Sequence, residues 1–399
     1  MVTTNKNGFG NFVSHSSSLH GPWSEALFIS KDGIDPSLLF LPDGRCFYTQ
    51  NGKGGLFGAF IDPDSGKLLE PLRLISPGIS GVATEAPHIY MKDGLYYLVF
   101  AEGGTEYGHH ASVGRSESIY GPYELRLDPI LSHTDRKGHE IQATGHADLL
   151  ELEDGRWIAV FLGIRVPGRA HLHNLGRETF LADVTWEDGW PVIGKNGRVE
   201  LEEESSIETV PMEKEYVRFD EDLSSRPVLR VRAENASDYD VCEGSLMIHG
   251  KDILSTEFGE PRLLLLRQTS FDSVFKATLR TDGTLTGKAG ITVFYNSDYH
   301  ADLFVERDEA ELKISFRRKI HDLETIVSVK TLPSASSISL SVQSDKEWYR
   351  FFADDVEIGK ASSASFSTEG TMYMTFTGTL IGIFAEEGDG IFQDGFGFI

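Results

Sequence analysis

Residues 84–104 read TEAPHIYMKDGLYYLVFAEGG, and the fold is decided here. An apolar run opens at Ile89, Lys92-Asp93-Gly94 supplies a turn, and Leu95–Ala101 returns as a run of aromatic and β-branched residues, the pattern of a β-hairpin. A carboxylate, Glu85, stands at the mouth of the first strand, followed by Ala86, Pro87 and His88.

The same arrangement occurs twice more. Asp35-Pro36-Ser37-Leu38-Leu39-Phe40 leads to Asp43-Gly44 and the strand RCFYTQ, and His146-Ala147-Asp148-Leu149-Leu150-Glu151 leads to Asp154-Gly155 and RWIAVFLG. In all three an ionisable side chain, Asp35, Glu85 or His146, stands eight residues before the turn Asp. The repeats start 50 and 61 residues apart, in the range of propeller blades, where the innermost strands face a common axis. Asp35, Glu85 and His146 are therefore expected to be neighbours around one pocket. A second echo, His20-Gly21-Pro22-Trp23 with Tyr120-Gly121-Pro122-Tyr123, supports the repeat. Phe180–Ile193 is a further hairpin without the eight-residue register, read as part of a closing blade.

Outward from the repeats the rhythm changes. Met1–Gly10 resembles a strand that follows a turn, without the preceding strand, so the chain reads as starting halfway through a hairpin and Met1 as an internal methionine of a longer protein. No leader is recognisable, and on that reading no compartment is assigned. Asn196–Lys214 is acidic, carrying Glu200, Glu202, Glu203, Glu204, Glu208 and Glu213, and reads as a solvated linker. From about Phe219 short strands resume, with alternation as in Ala310–Phe316, suggesting a two-sheet β-sandwich. The expected organisation is all-β: an incomplete β-propeller over 1–195, an acidic linker over 196–218 and a jelly-roll-like sandwich over 219–399. Asn235-Ala236-Ser237 is a lone glycosylation sequon.

Composition narrows the function classes. A formal charge of -24, from 61 acidic against 37 basic residues, repels nucleic acid and anionic membranes and is indifferent to a neutral substrate. Cys46 and Cys242 are too far apart in sequence to make a disulfide framework or a metal motif. No apolar stretch approaches the roughly 20 residues of a membrane-spanning helix. Two carboxylates and a histidine facing one pocket, without a serine elbow or phosphate loop, suit acid/base work on an uncharged substrate. Glycoside hydrolysis is the nearest template: a protonated carboxyl, its pKa raised by a like charge, donates to the leaving oxygen. Glu85 fits the acid and Asp35 the like charge. The ordinary alternative leaves Asp35 as a turn cap, Glu85 as an acceptor for backbone donors, and His146 as a satisfied core residue.

Several motifs spanning about 150 residues, GIDPSLLF (33–40), TEAPHIY (84–90), AEGGTEYGHH (101–110), GHADLL (145–150) and LGRET (175–179), together resemble glycoside hydrolase family 43, in its β-xylosidase branch with a C-terminal β-sandwich. LLLLRQTSFD (263–272), AGITVFYN (289–296) and FTGTLIGIFA (376–385) extend the resemblance into the second half. The resemblance implies a five-bladed propeller and inverting hydrolysis of β-xylosides or α-L-arabinofuranosides, with xylo-oligosaccharides or arabinosyl-substituted oligosaccharides as partners. It makes Glu85 the general acid, Asp35 the residue that orients the acid and tunes its pKa, and His146 and Arg177 contacts to the sugar. Without the resemblance Arg177 reads as a surface partner of Glu178. Phe376 is a candidate aromatic lent by the sandwich to close the pocket, against its reading as ordinary core. No cofactor is called for; a structural cation on the propeller axis is left open.

One element of the family pattern does not occur. The general base lies in a Tyr-Pro-Asp-Pro-type motif on a first blade, and these 399 residues do not contain it. The expectation is a chain with an acid but no residue to activate water, hence little or no hydrolysis on its own. The competing readings are a non-catalytic carbohydrate-binding protein and a fragment of a longer gene product.

Overall fold

The computed structural model describes residues 1–5, 10–167, 172–202, 215–220, 222–223, 226–232, 236–255, 259–308, 311–371 and 376–399. Glu203, Glu204, Glu208 and Glu213 of the acidic stretch, Asn235 of the sequon and Ala310 lie outside them. Two compact units are formed, one by Met1–Arg165 with Glu178–Glu208, the other by Val166–Arg177 with Thr209–Ile399.

The first unit is built from antiparallel sheets in chain order. β1 (Val2–Asn5), β2 (Gly10–Val13) and β3 (Leu27–Ser30) make a three-stranded sheet, with β1 at its edge. β4 (Ser37–Phe40), β5 (Cys46–Gly52), β6 (Gly55–Asp62), β7 (Lys67–Leu68) and β8 (Arg73–Ser76) form the second. β9 (Glu85–Lys92), β10 (Leu95–Glu102), β11 (His110–Ser116), β12 (Glu124–Leu125) and β13 (Leu131–Ser132) form the third. β14 (Ile141–Glu151), β15 (Trp157–Arg165), β16 (Glu178–Glu187) and β17 (Trp190–Ile193) form the fourth. The hairpin at Phe180–Ile193, read as part of a closing blade, is the outer half of the sheet that begins at β14, the last sheet of this unit. The free edge of β15 takes β16 as its antiparallel partner, Trp157 opposite Val184 through Gly163 opposite Glu178.

The period of two explains why these sheets stack face to face. Along β10, Leu98 and Phe100 enter a core shared with Phe47, Leu56 and Ile75 of the second sheet, while Tyr97 and Val99 enter one shared with Trp157, Ala159 and Phe161 of the fourth. Each fully buried side chain of this kind stabilises by roughly 1.5–3 kcal/mol. The Gly-Pro echo is structural as well: Gly21 N donates to Ser18 O at 3.0 Å and Gly121 N to Ser118 O at 2.9 Å, with both Gly-Pro peptides cis. The start of the acidic stretch is packed: Val199 is buried, Ser132 N donates to Gly197 O (3.0 Å), and Glu200 pairs with Arg136 (2.7 Å) and His139 (2.8 Å).

The second unit is a sandwich of an eight-stranded and a six-stranded antiparallel sheet. Leu263–Leu266 is buried on both faces: Leu264 and Leu266 enter the large core with Ile291, Phe316 and Phe351, and Leu263 and Leu265 a smaller one with Phe294, Phe304 and Phe384. The segment Val166–Arg177 belongs to this unit. Asn174 O accepts from Thr379 N at 2.7 Å, Asn174 Nδ2 donates to the buried Tyr349 hydroxyl at 2.5 Å, and His173 Nδ1 meets Glu369 Oε1 at 2.5 Å.

Candidate active site

The three inner strands of the repeats, β4, β9 and β14, are locked together by side chains that fix their relative level. His88 Nδ1 lies 3.0 Å from Ser37 Oγ and 3.0 Å from Asp148 Oδ1, so Ser37, His88 and Asp148 are the spatial equivalents of one another. Because the hydroxyl and the carboxylate share one ring nitrogen, this is a brace and not a Ser-His-Asp relay, which uses opposite ring nitrogens. Tyr90 extends it, donating from its hydroxyl to Asp148 Oδ1 (2.9 Å) and accepting from Leu149 N (2.8 Å). Burial holds His88 below the usual imidazole value against the opposing pull of Asp148, and burial, with Asp148 adding to it, pushes the Tyr90 hydroxyl well up.

Two residues upstream of this brace, in β9 and β14 and just ahead of β4, stands a left-handed residue with a side chain: Asp35 (φ 51°), Ala86 (φ 52°) and His146 (φ 54°). Such a conformation costs on the order of 1 kcal/mol or more at a residue other than glycine, and three at one level is an accumulation that packing must sustain. In β9 and β14 the strain coincides with bulges, where the pairing register shifts between Val99 and Ala101 and between Gly145 and Asp148. Asp35 Oδ2 and His146 Nε2 are brought to 3.7 Å, with both side chains partly open to solvent.

Glu85 stands one residue before the left-handed level, half-buried at the head of β9 and paired with Ala101. The offset has a simple cause. Asp43-Gly44 and Asp154-Gly155 lie within five-residue loops closed by Leu41 N to Arg45 O and Leu152 N to Arg156 O (2.8 Å each), whereas Lys92 pairs directly with Leu95 across a two-residue turn, Asp93 (φ 52°) and Gly94 (φ 80°). The turn Asp is three residues past the last pair in the outer two hairpins and one past it in the middle one, and Ala86 is six residues before its last pair where Asp35 and His146 are five, so counting eight back lands one position early in the middle hairpin. Asp35 and His146 share a structural position; the middle strand has Ala86 there and Glu85 beside it.

Residues that the sequence did not single out hold these positions. Asn51 Oδ1 accepts from Ile34 N at 3.0 Å, and its Nδ2 donates to Thr84 O at 3.4 Å, so one side chain ties the residues immediately before Asp35 and Glu85. Asp35 N donates to Thr4 Oγ1 at 3.2 Å. Behind His146, the buried His109 ring leaves no room at Gly145, where a Cβ would come within 2.7 Å of the ring. Asn51 followed by glycine reads only as a corner, and the constraint on Gly145 is tertiary; neither has a local signal. The other two candidates lie in the sandwich unit. Arg177 Cζ sits 3.9 Å from the centroid of the Phe376 ring, Arg177 N donates to Phe376 O at 3.1 Å, and Arg267 Nη2 donates to Arg177 O at 2.5 Å. Phe376 is 43% exposed and is not core, and Glu178 pairs with Arg165 at 2.7 Å. Among the described residues no group of three or more His, Cys, Asp or Glu is arranged to hold a metal ion.

Residues 1–191 match the family model of glycosyl hydrolases family 43, and 228–394 match the β-xylosidase C-terminal concanavalin A-like domain. A non-reducing-end α-L-arabinofuranosidase of Bacteroides ovatus is 32% identical over 402 residues, covering 96% of this chain and 75% of that protein. The chain belongs to glycosyl hydrolases family 43. A putative β-xylosidase of Escherichia coli is also similar, 28% identical over 438 residues, covering 98% of this chain and 80% of that protein. Among solved structures, a family 43 protein of a Bacteroides ovatus xyloglucan locus superimposes with a TM-score of 0.90 at 32% identity, covering 100% of this chain and 82% of that one. A xylan β-1,4-xylosidase from Bacillus halodurans gives 0.87 at 27%, covering 100% and 83%. The architecture is therefore that of the family, a propeller domain followed by a concanavalin-like sandwich, and the family is one of glycosidases.

Proposed function

We propose that this family 43 chain binds the non-reducing end of xylan-derived oligosaccharides, as an exo-acting, inverting β-xylosidase or α-L-arabinofuranosidase. Glu85 acts as the general acid on the glycosidic oxygen, Asp35 orients it and holds its proton by like charge, and His146 and Arg177 contact the sugar, with Phe376 stacking behind Arg177. The observation that carries the reading is the convergence at one level of three inner strands: Asp35 and His146 at 3.7 Å on strained backbone, with Glu85 one residue from the third strained position.

Water activation is assigned to no residue of this chain. Loss of a general base costs about 10²–10⁴-fold, so the chain alone is expected to bind substrate and turn it over at a small fraction of a complete acid/base pair's rate. The test pairs calorimetric affinity for 4-nitrophenyl β-xyloside and 4-nitrophenyl α-L-arabinofuranoside with release of 4-nitrophenol. Affinity for one of the two, weakened at least tenfold by His146→Ala or Arg177→Ala, with turnover slow and dependent on Glu85, is the expected result. Fast turnover that survives Glu85→Gln, or affinity untouched by both other substitutions, would refute it.

A further inference from the structure

Glu102 ends β10 in the motif AEGG and is completely buried. Among the described residues no Lys or Arg forms an ion pair with it; His110 Nε2 on β11 lies 3.9 Å from Oε2. Its Oε1 instead accepts from Ile79 N (3.0 Å), Ser80 N (2.9 Å), Gly81 N (3.3 Å), Ser80 Oγ (3.0 Å) and Thr84 Oγ1 (3.0 Å), and its Oε2 from Ser112 Oγ (3.4 Å). Successive backbone N–H groups thus converge on one carboxylate oxygen, the geometry of an anion nest closed by a side chain of the same sheet. The loop is fitted to it closely. Gly78, at φ +81°, would place a Cβ 2.5 Å from Thr84 Oγ1 and 2.8 Å from Glu102 Oε1, and Gly103 N donates to Val82 O at 2.9 Å.

Burying a carboxylate away from a cation costs several kcal/mol unless its lone pairs are satisfied, and an apolar residue would fill this space at no such cost. What the carboxylate provides is a fixed course for 79–84, and the next residue is Glu85. Glu85 is held from the other side by pairing with Ala101, the neighbour of Glu102. Charge-assisted hydrogen bonds are about twice as strong as neutral ones, so this anchor is stiffer than a hydroxyl or amide in its place.

We propose that Glu102 is a positioning residue for Glu85, anchoring the 79–84 loop so that the Glu85 carboxyl is presented to the glycosidic oxygen. The inference rests on Glu85 being the proton donor. A protonated Glu85 donates to the glycosidic oxygen and an ionised one cannot, so glycoside affinity falls as pH rises through the Glu85 titration. The experiment follows the better-bound of 4-nitrophenyl β-xyloside and 4-nitrophenyl α-L-arabinofuranoside by calorimetry from pH 4 to 8, in the full chain. Asp35, His88, His146 and Asp148 are further ionisable groups of the same site, so Glu85→Gln, which donates at every pH, identifies the limb that belongs to Glu85.

In the wild-type chain affinity is expected to drop about tenfold across that limb. In Glu102→Gln the drop shrinks to threefold or less while affinity at pH 8 stays within twofold of wild type, because only the placement of the proton donor has changed. Thr84→Val, which deletes one hydroxyl bond to Glu102 and little else, shows the same change in smaller measure and covers the case of a Glu102 variant that does not fold. A limb that persists in Glu85→Gln overturns the assignment of Glu85 itself. A limb assigned to Glu85 that keeps its amplitude and midpoint in Glu102→Gln, or in Thr84→Val where that is the variant that folds, or a loss equal at all pH values, overturns the positioning role alone.

Discussion

The sandwich contains a charged network sealed from solvent, and Asp302→Ala tests what it contributes. Asp302, Glu386 and His300 are completely buried and Arg317 nearly so. Arg317 Nε donates to Asp302 Oδ2 at 2.7 Å and its Nη2 and Nη1 to Glu386 Oε1 and Oε2 at 2.8 and 3.0 Å; Asp302 also receives Thr292 Oγ1 at 2.7 Å and lies 2.8 Å from His300 Nδ1. Removing Asp302 leaves Arg317 with Glu386 and the more distant Glu324 (3.7 Å) and strands the Thr292 hydroxyl and the His300 ring, whose Nε2 already has no hydrogen-bond partner. Breaking a buried pair from one side costs about 3–5 kcal/mol. At roughly 2–4 °C per kcal/mol for a unit of this size, the melting transition of the sandwich should fall by about 6–20 °C. Calorimetric scanning at pH 7 reads this directly. The pH dependence gives a second, independent check. Burial alone would push the Asp302 carboxyl up, but the charges of His300 and Arg317 and its hydrogen bonds outweigh that and hold it at about 2, below its ordinary 3.8. As pH falls the unfolded chain takes up this proton first, so the contribution is complete above about pH 4 and is lost as pH falls toward 2, a loss of roughly 2 kcal/mol. Wild type should show that acid limb and Asp302→Ala should lack its share. A melting shift under about 2 °C, or identical acid limbs in the two proteins, would refute the assignment of net stability to this network.

Two further predictions concern the site. Gly145→Ala forces a methyl group against the His109 ring directly before His146 and should lower stability by about 1–3 kcal/mol and weaken sugar binding with it; unchanged melting would show that the ring can move aside. Phe376→Ala removes the ring under the Arg177 guanidinium, an exposed cation–π contact worth about 0.5–1 kcal/mol, so sugar affinity should fall roughly two- to fivefold with melting within 1 °C of wild type.

The hairpins of the first unit were legible because each carries its own turn chemistry and a two-residue period, both local properties. Their grouping was partly so. The eight-residue count paired Asp35 with His146 because their hairpins have the same five-residue loop, and it placed Glu85 one residue off because Asp93 follows the last pair two residues sooner while β9 is one residue longer between that pair and Ala86. That Phe180–Ile193 shares a sheet with β14 and β15 was not legible, because twelve residues, Val166–Arg177, separate β15 from β16 and pack with the other unit. Nothing in a linear pattern marks that excursion. Phe376 was open to a core reading because sequence hydrophobicity does not distinguish a buried aromatic from one spread beneath an arginine.

The misplaced count also explains something about the site. The left-handed position of β9, beside the bulge opposite Val99–Ala101, is Ala86, so the strain falls on a small side chain and Glu85, paired with Ala101, stands one residue outside it. For the proton donor proposed here, a backbone outside the left-handed region and anchored from both sides keeps the carboxyl in a fixed place. In β9 those anchors are the pairing with Ala101 and the loop fastened to Glu102, whereas ahead of β4 and in β14 the strain is carried by Asp35 and His146 themselves.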